Sequence, residues 1–222
     1  MMKRFSLSLF ALAFSVNLAL AADSAANRSK SILQLGTSTS GGNVSNNIAP
    51  PATLAFHFNN KLILGLEQGI FEGETEGESN GYTFETDGEY KSQGIAARWF
   101  TGNSFNIFLA LHQRTWDVSL TAWPDQDASP SVFAIYDLTA KATVATLAIG
   151  NQWQADWGGV FGVDWISVAT AVSAESSYEP KGISGWGDAS DREKAARDAG
   201  DYLNLISAAP FGAFNLYLAY SF

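Results

Sequence analysis

The chain has 222 residues, a length that suits one domain, and its 13 basic and 22 acidic side chains give a net charge of −9. This acidic balance, without a basic cluster, argues against nucleic acid as a partner, because phosphate binding depends on lysine and arginine. The sequence has no cysteine, which excludes disulfides, thiolate metal sites and thiol nucleophiles.

The N-terminus has the features of an export signal. Basic Lys3 and Arg4 precede an apolar stretch that ends at Ala21 in a small-x-small cleavage pattern. We therefore predict a signal peptide at residues 1–21 and one mature domain at residues 22–222. No later segment has the roughly 18 consecutive apolar residues that a spanning helix needs, so any membrane span must be built from strands.

Beyond the signal, apolar and polar residues alternate with a period of two, which is typical of β-strands. The pattern predicts seven clear strands and an eighth, with a shorter apolar set, at the start of the mature chain. In chain order the eight predicted strands are Ser31–Ser38, Ala52–Phe58, Lys61–Ile70, Lys91–Phe100, Asn103–Asp117, Thr139–Trp153, Gly158–Thr170 and Gly212–Phe222.

The connections between these strands alternate between long and short. The short ones are Asn59-Asn60, Thr101–Asn103 and Gln154–Trp157. Outer-membrane barrels alternate tight periplasmic turns with long external loops in this way. The alternation predicts an all-β fold, an eight-stranded antiparallel up-and-down transmembrane β-barrel. The predicted long loops are Thr39–Pro51, Phe71–Tyr90, Val118–Leu138 and Ala171–Phe211.

Two of the predicted external loops have distinctive sequences. The segment Glu72–Tyr90 carries seven carboxylates and no basic residue, which predicts a solvated loop, and it lacks the ligand spacing of a calcium loop. In the last loop, Ser190 and Glu193 have the spacing of a capping box, which predicts a short helix over Asp191–Ile206. A further strand at Tyr202–Ala208 is the alternative for this segment.

Aromatic residues cluster beside the predicted short turns and at the chain end. Rings that combine an apolar body with a polar edge favour the boundary between membrane and water. We therefore predict an aromatic girdle on the periplasmic side. Its predicted members are Phe58, Trp99, Phe105, Trp153, Trp157, Tyr220 and Phe222.

The face opposite the large apolar side chains carries charged residues together with six strand glycines. An eight-stranded barrel is only wide enough inside for side chains to fill, so small residues beside large polar ones are expected there. Two arginines against two carboxylates would balance the buried charge. The predicted polar network of the lumen is Glu67, Arg98, His112, Arg114 and Asp164. We interpret this network as a structural plug; a gate whose charges exchange partners is the alternative.

The chain ends in AFNLYLAYSF, with Phe214, Leu216, Leu218, Tyr220 and the terminal Phe222 on one face. This ending resembles the C-terminal signature of bacterial outer-membrane barrel proteins, and the strand count is similar to that of the eight-stranded OmpA-like group. The resemblance implies an outer-membrane location and recognition of the last strand by the barrel-assembly machinery. It supplies no active site.

We predict a non-enzymatic monomer in contact with outer-membrane lipid, without cofactor or metal, that presents external loops to an unknown partner or supports envelope integrity. A narrow channel for ions or small apolar solutes is one alternative. A soluble periplasmic β-sandwich that binds a ligand is another. A lipid A acyl hydrolase or transferase is the third, and it would need a serine and a histidine, of which His112 with Ser119 or Ser131 is the candidate pair.

Overall fold

The computed structural model describes residues 23–41, 51–79, 82–124, 133–184, 190, 193–194, 196–198, 200–201, 211–212 and 214–222. The predicted signal peptide at residues 1–21 and the alternative strand at 202–208 lie outside these ranges. The elements are helix α1 (Ser24–Lys30) and strands β1 (Leu33–Gly41), β2 (Ala52–Asn59), β3 (Leu62–Ser79), β4 (Tyr82–Phe100), β5 (Phe105–Pro124), β6 (Phe133–Gln154), β7 (Gly159–Ser184), β8 (Phe211–Gly212) and β9 (Phe214–Ser221).

The strands form a single antiparallel sheet that closes on itself. The order β6-β5-β4-β3-β2-β1-β9-β7 is completed by pairing of β6 with β7, which gives a ring of eight hydrogen-bonded strands, and β8 adds two residues beside β7. The predicted eight-stranded antiparallel barrel is therefore confirmed. Its first strand, which has the shortest apolar set in the sequence, is paired on both sides as β1.

The chain end closes the ring at the seam between β1 and β9. The backbone N–H of Phe222 donates to the carbonyl of Leu33 at 2.8 Å, and the N–H of Ile32 donates to the carbonyl of Phe222 at the same distance. Gly158, in the turn before β7, has a φ of 93°, and a Cβ at this position would lie 2.4 Å from the Ser221 carbonyl oxygen. A glycine is therefore required where this turn meets the last strand.

Strands β3 to β7 continue through segments that the sequence predicts as loops. The solvated loop predicted at Glu72–Tyr90 is wrong, because β3 and β4 remain paired as far as Ser79 opposite Tyr82. The period-two pattern does continue there, but its exposed positions hold carboxylates instead of apolar residues. Strands β5, β6 and β7 likewise extend into the next two predicted loops.

The inner face of these extensions is an apolar core. Its buried side chains come from β4, β5 and β6, and the ring centroids of Tyr90 and Trp116 lie 4.7 Å apart. The members are Tyr90, Trp116, Val118, Leu120, Ala122, Tyr136, Leu138 and Ala140. Burial of this face explains why the strands continue beyond the bilayer-sized ring.

The helix predicted in the last loop is confirmed at the described residues of that range, 193–194, 196–198 and 200–201. Ala196 is fully buried, and a Cβ added to Gly200 would lie 2.6 Å from Ser176 Oγ and 3.5 Å from Leu138 Cδ1. The helix therefore packs against β6 and β7 at the external end of the barrel.

The outward face of the ring carries exposed apolar side chains on all eight strands. A soluble protein rarely exposes such a continuous apolar surface, whereas a transmembrane barrel needs one. Its larger members include Leu35, Leu54, Phe56, Leu64, Leu66, Ile95, Leu109, Leu111, Leu147, Ile166, Val168 and Leu218. Among the described residues, no helix is long and apolar enough to cross a bilayer.

The part of the β3–β4 hairpin from Phe71 opposite Tyr90 to Ser79 opposite Tyr82 is called the β3–β4 extension. It pairs carboxylates directly across its two strands. Like charges in this arrangement destabilise an antiparallel pair by about 0.2–1 kcal/mol each. The three opposed pairs are Glu72 with Glu89, Glu74 with Asp87 and Glu76 with Glu85. The extension is thus held by its backbone ladder and its inner face, against the repulsion on its outer face.

We predict that Asp87→Lys stabilises the β3–β4 extension, because it converts the pair with Glu74 into an attractive one. Amide hydrogen exchange in this hairpin should slow by an amount equivalent to about 0.5–1 kcal/mol at low salt, and the difference should shrink at high salt. The exposed turn substitution Asp156→Lys makes the same charge change elsewhere and serves as the control. Equal exchange in both variants would contradict the prediction.

Candidate functional site

Four members of the predicted polar network lie inside the ring. Glu67 on β3, Arg98 on β4, His112 on β5 and Asp164 on β7 are each at most 9% exposed. Arg114, the fifth member, is the next inward-facing residue after His112 along β5, and it is half-buried. The alternation of faces along the sequence places all five on the inner side of the wall.

Arg98 and Asp164 form a buried bidentate ion pair across the lumen. Arg98 Nη1 lies 2.7 Å from Asp164 Oδ1, and Nη2 lies 3.2 Å from Oδ2. Asn106 Oδ1 accepts a further hydrogen bond from Nη1 at 2.5 Å. The guanidinium also stands over the rings of Phe108 and Tyr217, at 4.7 and 5.5 Å from their centroids. The charge is therefore neutralised and its donors are engaged, as a buried arginine requires.

Glu67 pairs with His112 across β4. His112 Nε2 lies 2.8 Å from Glu67 Oε2, and Thr53 Oγ1 donates to Glu67 Oε1 at 3.4 Å. The sequence analysis balanced the two carboxylates against two arginines. It did not predict a histidine as partner, because a histidine is charged only when it is protonated. The pairing follows from the strand register, which sequence alone does not reveal.

A glycine separates the two members of each of three polar pairs, along a row of cross-strand neighbours. The row Glu67–Gly94–His112 crosses β3, β4 and β5. The other two rows are Asn106–Gly150–Asp164 and Gln152–Gly162–Tyr217. Because the middle residue has no side chain, the outer two reach across it into the same part of the lumen.

Close contacts show that two of these glycines leave no room for a methyl group. A Cβ on Gly94 would lie 2.4 Å from His112 Cδ2, and a Cβ on Gly150 would lie 2.7 Å from Asp164 Oδ1 and 2.1 Å from a backbone oxygen. The large polar side chain of one strand therefore lies directly on the glycine of the next.

The position of Asp164 also depends on a β-bulge. Pairing of β6 with β7 shifts between Ile149 and Gly150, so that Trp165 and Ile166 are both exposed while Asp164 and Ser167 are both buried. The extra residue in β7 shifts the alternation by one, so that Ser167, and not Ile166, is the next inward residue after Asp164. Strict alternation in the sequence predicts the inward direction of Asp164 but does not reveal the bulge.

A second polar cluster, nearer the short turns, centres on Gln34. Its amide nitrogen donates to the hydroxyl of Tyr217, and its Oε1 accepts from Ser221 Oγ at 3.2 Å and from Gln152 Nε2 at 3.4 Å. His57 Nε2 lies 3.2 Å from the same oxygen. The period-two alternation of faces is consistent with inward positions for His57, Gln152 and Tyr217. It gives no indication of the roles of Gln34 and Ser221 beyond their inward positions on β1 and β9.

Little free space remains between the two clusters. The cavity there has a volume of about 20 Å³, close to that of a single water-sized probe. Side chains from seven strands line it, namely Gln34, Thr53, Ala55, Ile63, Glu67, Ala96, Arg98, Phe108, Gln152 and Tyr217. The described side chains of the two clusters therefore enclose a small cavity at this level.

Helix α1 lies across the mouth of the barrel at the short turns, with Arg28 at its centre. Arg28 Nε donates to the carbonyl of Asn60 at 3.0 Å, Nη2 donates to that of Gly102 at 3.4 Å, and the guanidinium carbon stands 3.6 Å from the centroid of Phe100. Burial lowers the pKa of Arg28 to about 10, which leaves it charged at neutral pH. Sequence analysis did not predict this helix.

The rest of α1 bonds to the other turns. Asn27 Nδ2 donates to the carbonyl of Gln154 at 2.9 Å, and Gln154 Nε2 returns a bond to the carbonyl of Asn27 at 3.3 Å. The backbone N–H of Ala25 donates to Asn103 Oδ1 at 2.8 Å. One short helix thus contacts all three short connections of the ring.

Six of the seven predicted girdle residues are exposed, by 42–73%. Trp153 is the exception at 8%, because its ring stacks on Phe161 with centroids 5.8 Å apart. Trp157, Tyr220 and Phe222 form a run of neighbouring rings beside the seam. Their position beside the turns fits a girdle, which stays a prediction.

The structure does not bring together the candidate histidine and serine of an acyl hydrolase. His112 is buried inside, whereas Ser119 is exposed on the opposite face of β5, and Ser131 lies outside the described residues. His57 Nε2 is 3.5 Å from Ser221 Oγ, but the nearer neighbour of that nitrogen is the amide of Gln34. Within the described ranges, no group of three or more histidine and acidic residues could hold a metal ion.

The chain is similar in structure to two crystal structures from Acinetobacter baumannii. CarO is 12% identical with a TM-score of 0.38, and CarO2 is 11% identical with a TM-score of 0.42. Each similarity covers 86% of this chain and 98% of the other. No family model and no curated protein matches the chain. At this identity, the similarities assign no activity.

We predict that Gly94→Ala destabilises the barrel by about 1–3 kcal/mol. The new methyl group would lie 2.4 Å from both His112 Cδ2 and the backbone oxygen of Leu111, so it disturbs the strand pairing as well as the contact of His112 with Glu67. The matched control is Gly65→Ala on β3, where a Cβ would meet only ordinary contacts at 3.4 Å or more. Denaturant unfolding in detergent micelles measures both variants. A Gly94→Ala variant as stable as Gly65→Ala would show that the glycine is not needed for the polar row.

Proposed function

We propose that the protein is a non-enzymatic barrel of the bacterial outer membrane that acts through its external surface, in surface interaction or envelope integrity. Its lumen serves as a structural plug. One observation carries the proposal: the interior is occupied by the Arg98–Asp164 and Glu67–His112 pairs with a cavity of only about 20 Å³ between them and the Gln34 cluster. A solute would have to break a buried ion pair to pass.

The external surface is the part of the molecule that departs most from a minimal barrel. Strands β3 to β7 have 18 to 26 residues, whereas about 9–11 residues suffice to cross a bilayer. The extensions have their own apolar core and a packed helix. Such a structure supports a role in which shape and charge beyond the membrane are presented to a partner.

The outer-membrane location is supported by the apolar outward face together with the aromatic C-terminal strand, which lies at the seam of the ring. We propose that the barrel-assembly machinery recognises this strand and that the protein functions as a monomer surrounded by outer-membrane lipid.

Complementation of a strain that lacks the gene separates a surface role from a lumen role. In one variant, Ile70 and Lys91, which are cross-strand partners, are joined by a two-residue Asn-Gly turn that removes the β3–β4 extension. In the matched variant, Arg98→Met and Asp164→Leu replace the buried ion pair with apolar residues of similar size, a change that is often tolerated.

We expect the shortened variant to assemble as a heat-modifiable barrel but to fail in restoring survival in bile salts, and the lumen variant to restore it. Wild-type protein should give no conductance steps in planar bilayers. Regular conductance steps, or loss of complementation only in the lumen variant, would contradict the proposal and favour a channel.

A further inference from the structure

The mouth of the barrel has a closure of its own, separate from the ion pairs deeper inside. Three inward residues follow one another along the end of β6: Gln154 bonds to α1, Gln152 bonds to Gln34, and Gly150 lies under Asp164. The helix therefore closes the lumen one layer below the Gln34 cluster and two layers below the Arg98–Asp164 pair. Between the helix and the ion pair lies the Gln34 cluster, a layer of amide and hydroxyl groups with the imidazole of His57.

Polar contacts hold α1 in place. Its sequence, SAANRSK, contains no apolar side chain larger than alanine, so hydrophobic burial contributes little to its docking. A helix of seven residues is also too short to be stable in isolation. The helix is therefore ordered by its bonds to the turns, and the described acceptors of Arg28 are backbone carbonyls, not a carboxylate.

Movement of α1 away from the barrel mouth would be offset in part by new hydrogen bonds to water. With α1 docked, the Oε1 atoms of Gln152 and Gln154 are buried without a hydrogen-bond partner among the described residues, as is Arg28 Nη1. Water would satisfy all three atoms if the helix moved out, and unsatisfied buried polar groups are costly. Two residues, Ser31 and Ile32, connect α1 to β1, and the backbone of Ile32 is held by Phe222 and His57. The helix would therefore move about Ser31 while β1 stays paired.

We propose that α1 is a movable seal of the periplasmic mouth, with Arg28 as its latch to the β2–β3 and β4–β5 turns, and that its release opens the amide-lined layer to water. The Arg98–Asp164 pair remains closed above it. The inference concerns access from one side only, so it holds whether or not the deeper ion pair blocks conduction.

Thiol labelling tests the seal, since the chain has no cysteine of its own. Gln152→Cys places a probe at a fully buried position behind α1, and Gly102→Cys, at an open turn position, reports full accessibility. Folded protein in detergent is treated with a small charged methanethiosulfonate reagent. The probe is combined with Arg28→Ala, with deletion of residues 24–30, or with Asn103→Ala, which removes the acceptor for Ala25.

Asn59→Ala is the matched control, because Asn59 is also an exposed turn asparagine but accepts its hydrogen bond from Lys61 within its own turn. We expect the Gln152→Cys probe to react slowly in the wild-type background and with Asn59→Ala. It should react at least about tenfold faster with Arg28→Ala or the deletion, and at an intermediate rate with Asn103→Ala. Heat modifiability confirms that each variant is folded.

Two results would overturn the seal: fast labelling of the Gln152→Cys probe in the wild-type background, or slow labelling that persists in the folded deletion variant. If Arg28→Ala or the deletion does not fold, Asn103→Ala against Asn59→Ala decides, and equal rates in these two would reject the proposal. Conductance is not the readout, so failure of the seal is distinguishable from failure of the plugged lumen.

Discussion

The structure depends on a steric constraint. The interior of a closed ring of eight strands is only wide enough for the side chains of the strands themselves to fill. The protein meets this constraint in part by placing a glycine between the two members of three cross-strand polar pairs. Gly94 lies between Glu67 and His112, and Gly150 lies between Asn106 and Asp164. The glycines thus let large polar side chains approach each other across an intervening strand.

A buried ion pair lies beside these rows. Arg98 is engaged by Asp164 and Asn106, so its charge is not left unpaired in a space with little water. A buried pair of this kind is costly to break, because removal of one partner leaves the other charge buried and unpaired. In the function that we propose, these side chains plug the lumen, and the strand extensions and the outer face are the contact surfaces.

Much of this fold could be predicted from the sequence, since period-two alternation reveals strands and their faces. It places Glu67, Arg98, His112 and Asp164 inside, and the short connections mark the turn side. Pairing of Glu67 with His112 could not be predicted, because partners depend on register across three strands. The β3–β4 extension was misjudged because carboxylates occupy its outer face, and α1 was missed because SAANRSK has no periodic apolar pattern.

A double-mutant cycle between Glu67 and His112 tests the central claim most directly when it is measured in two backgrounds. The two single variants, Glu67→Ala and His112→Ala, and the double variant are made in the wild-type background and again in the Gly94→Ala background. The free energy of unfolding is measured for each protein, and the coupling energies in the two backgrounds are compared. The account predicts a coupling of about 1–3 kcal/mol with glycine and a coupling near zero with alanine. The same coupling in both backgrounds would show that the pair does not depend on the glycine between its members.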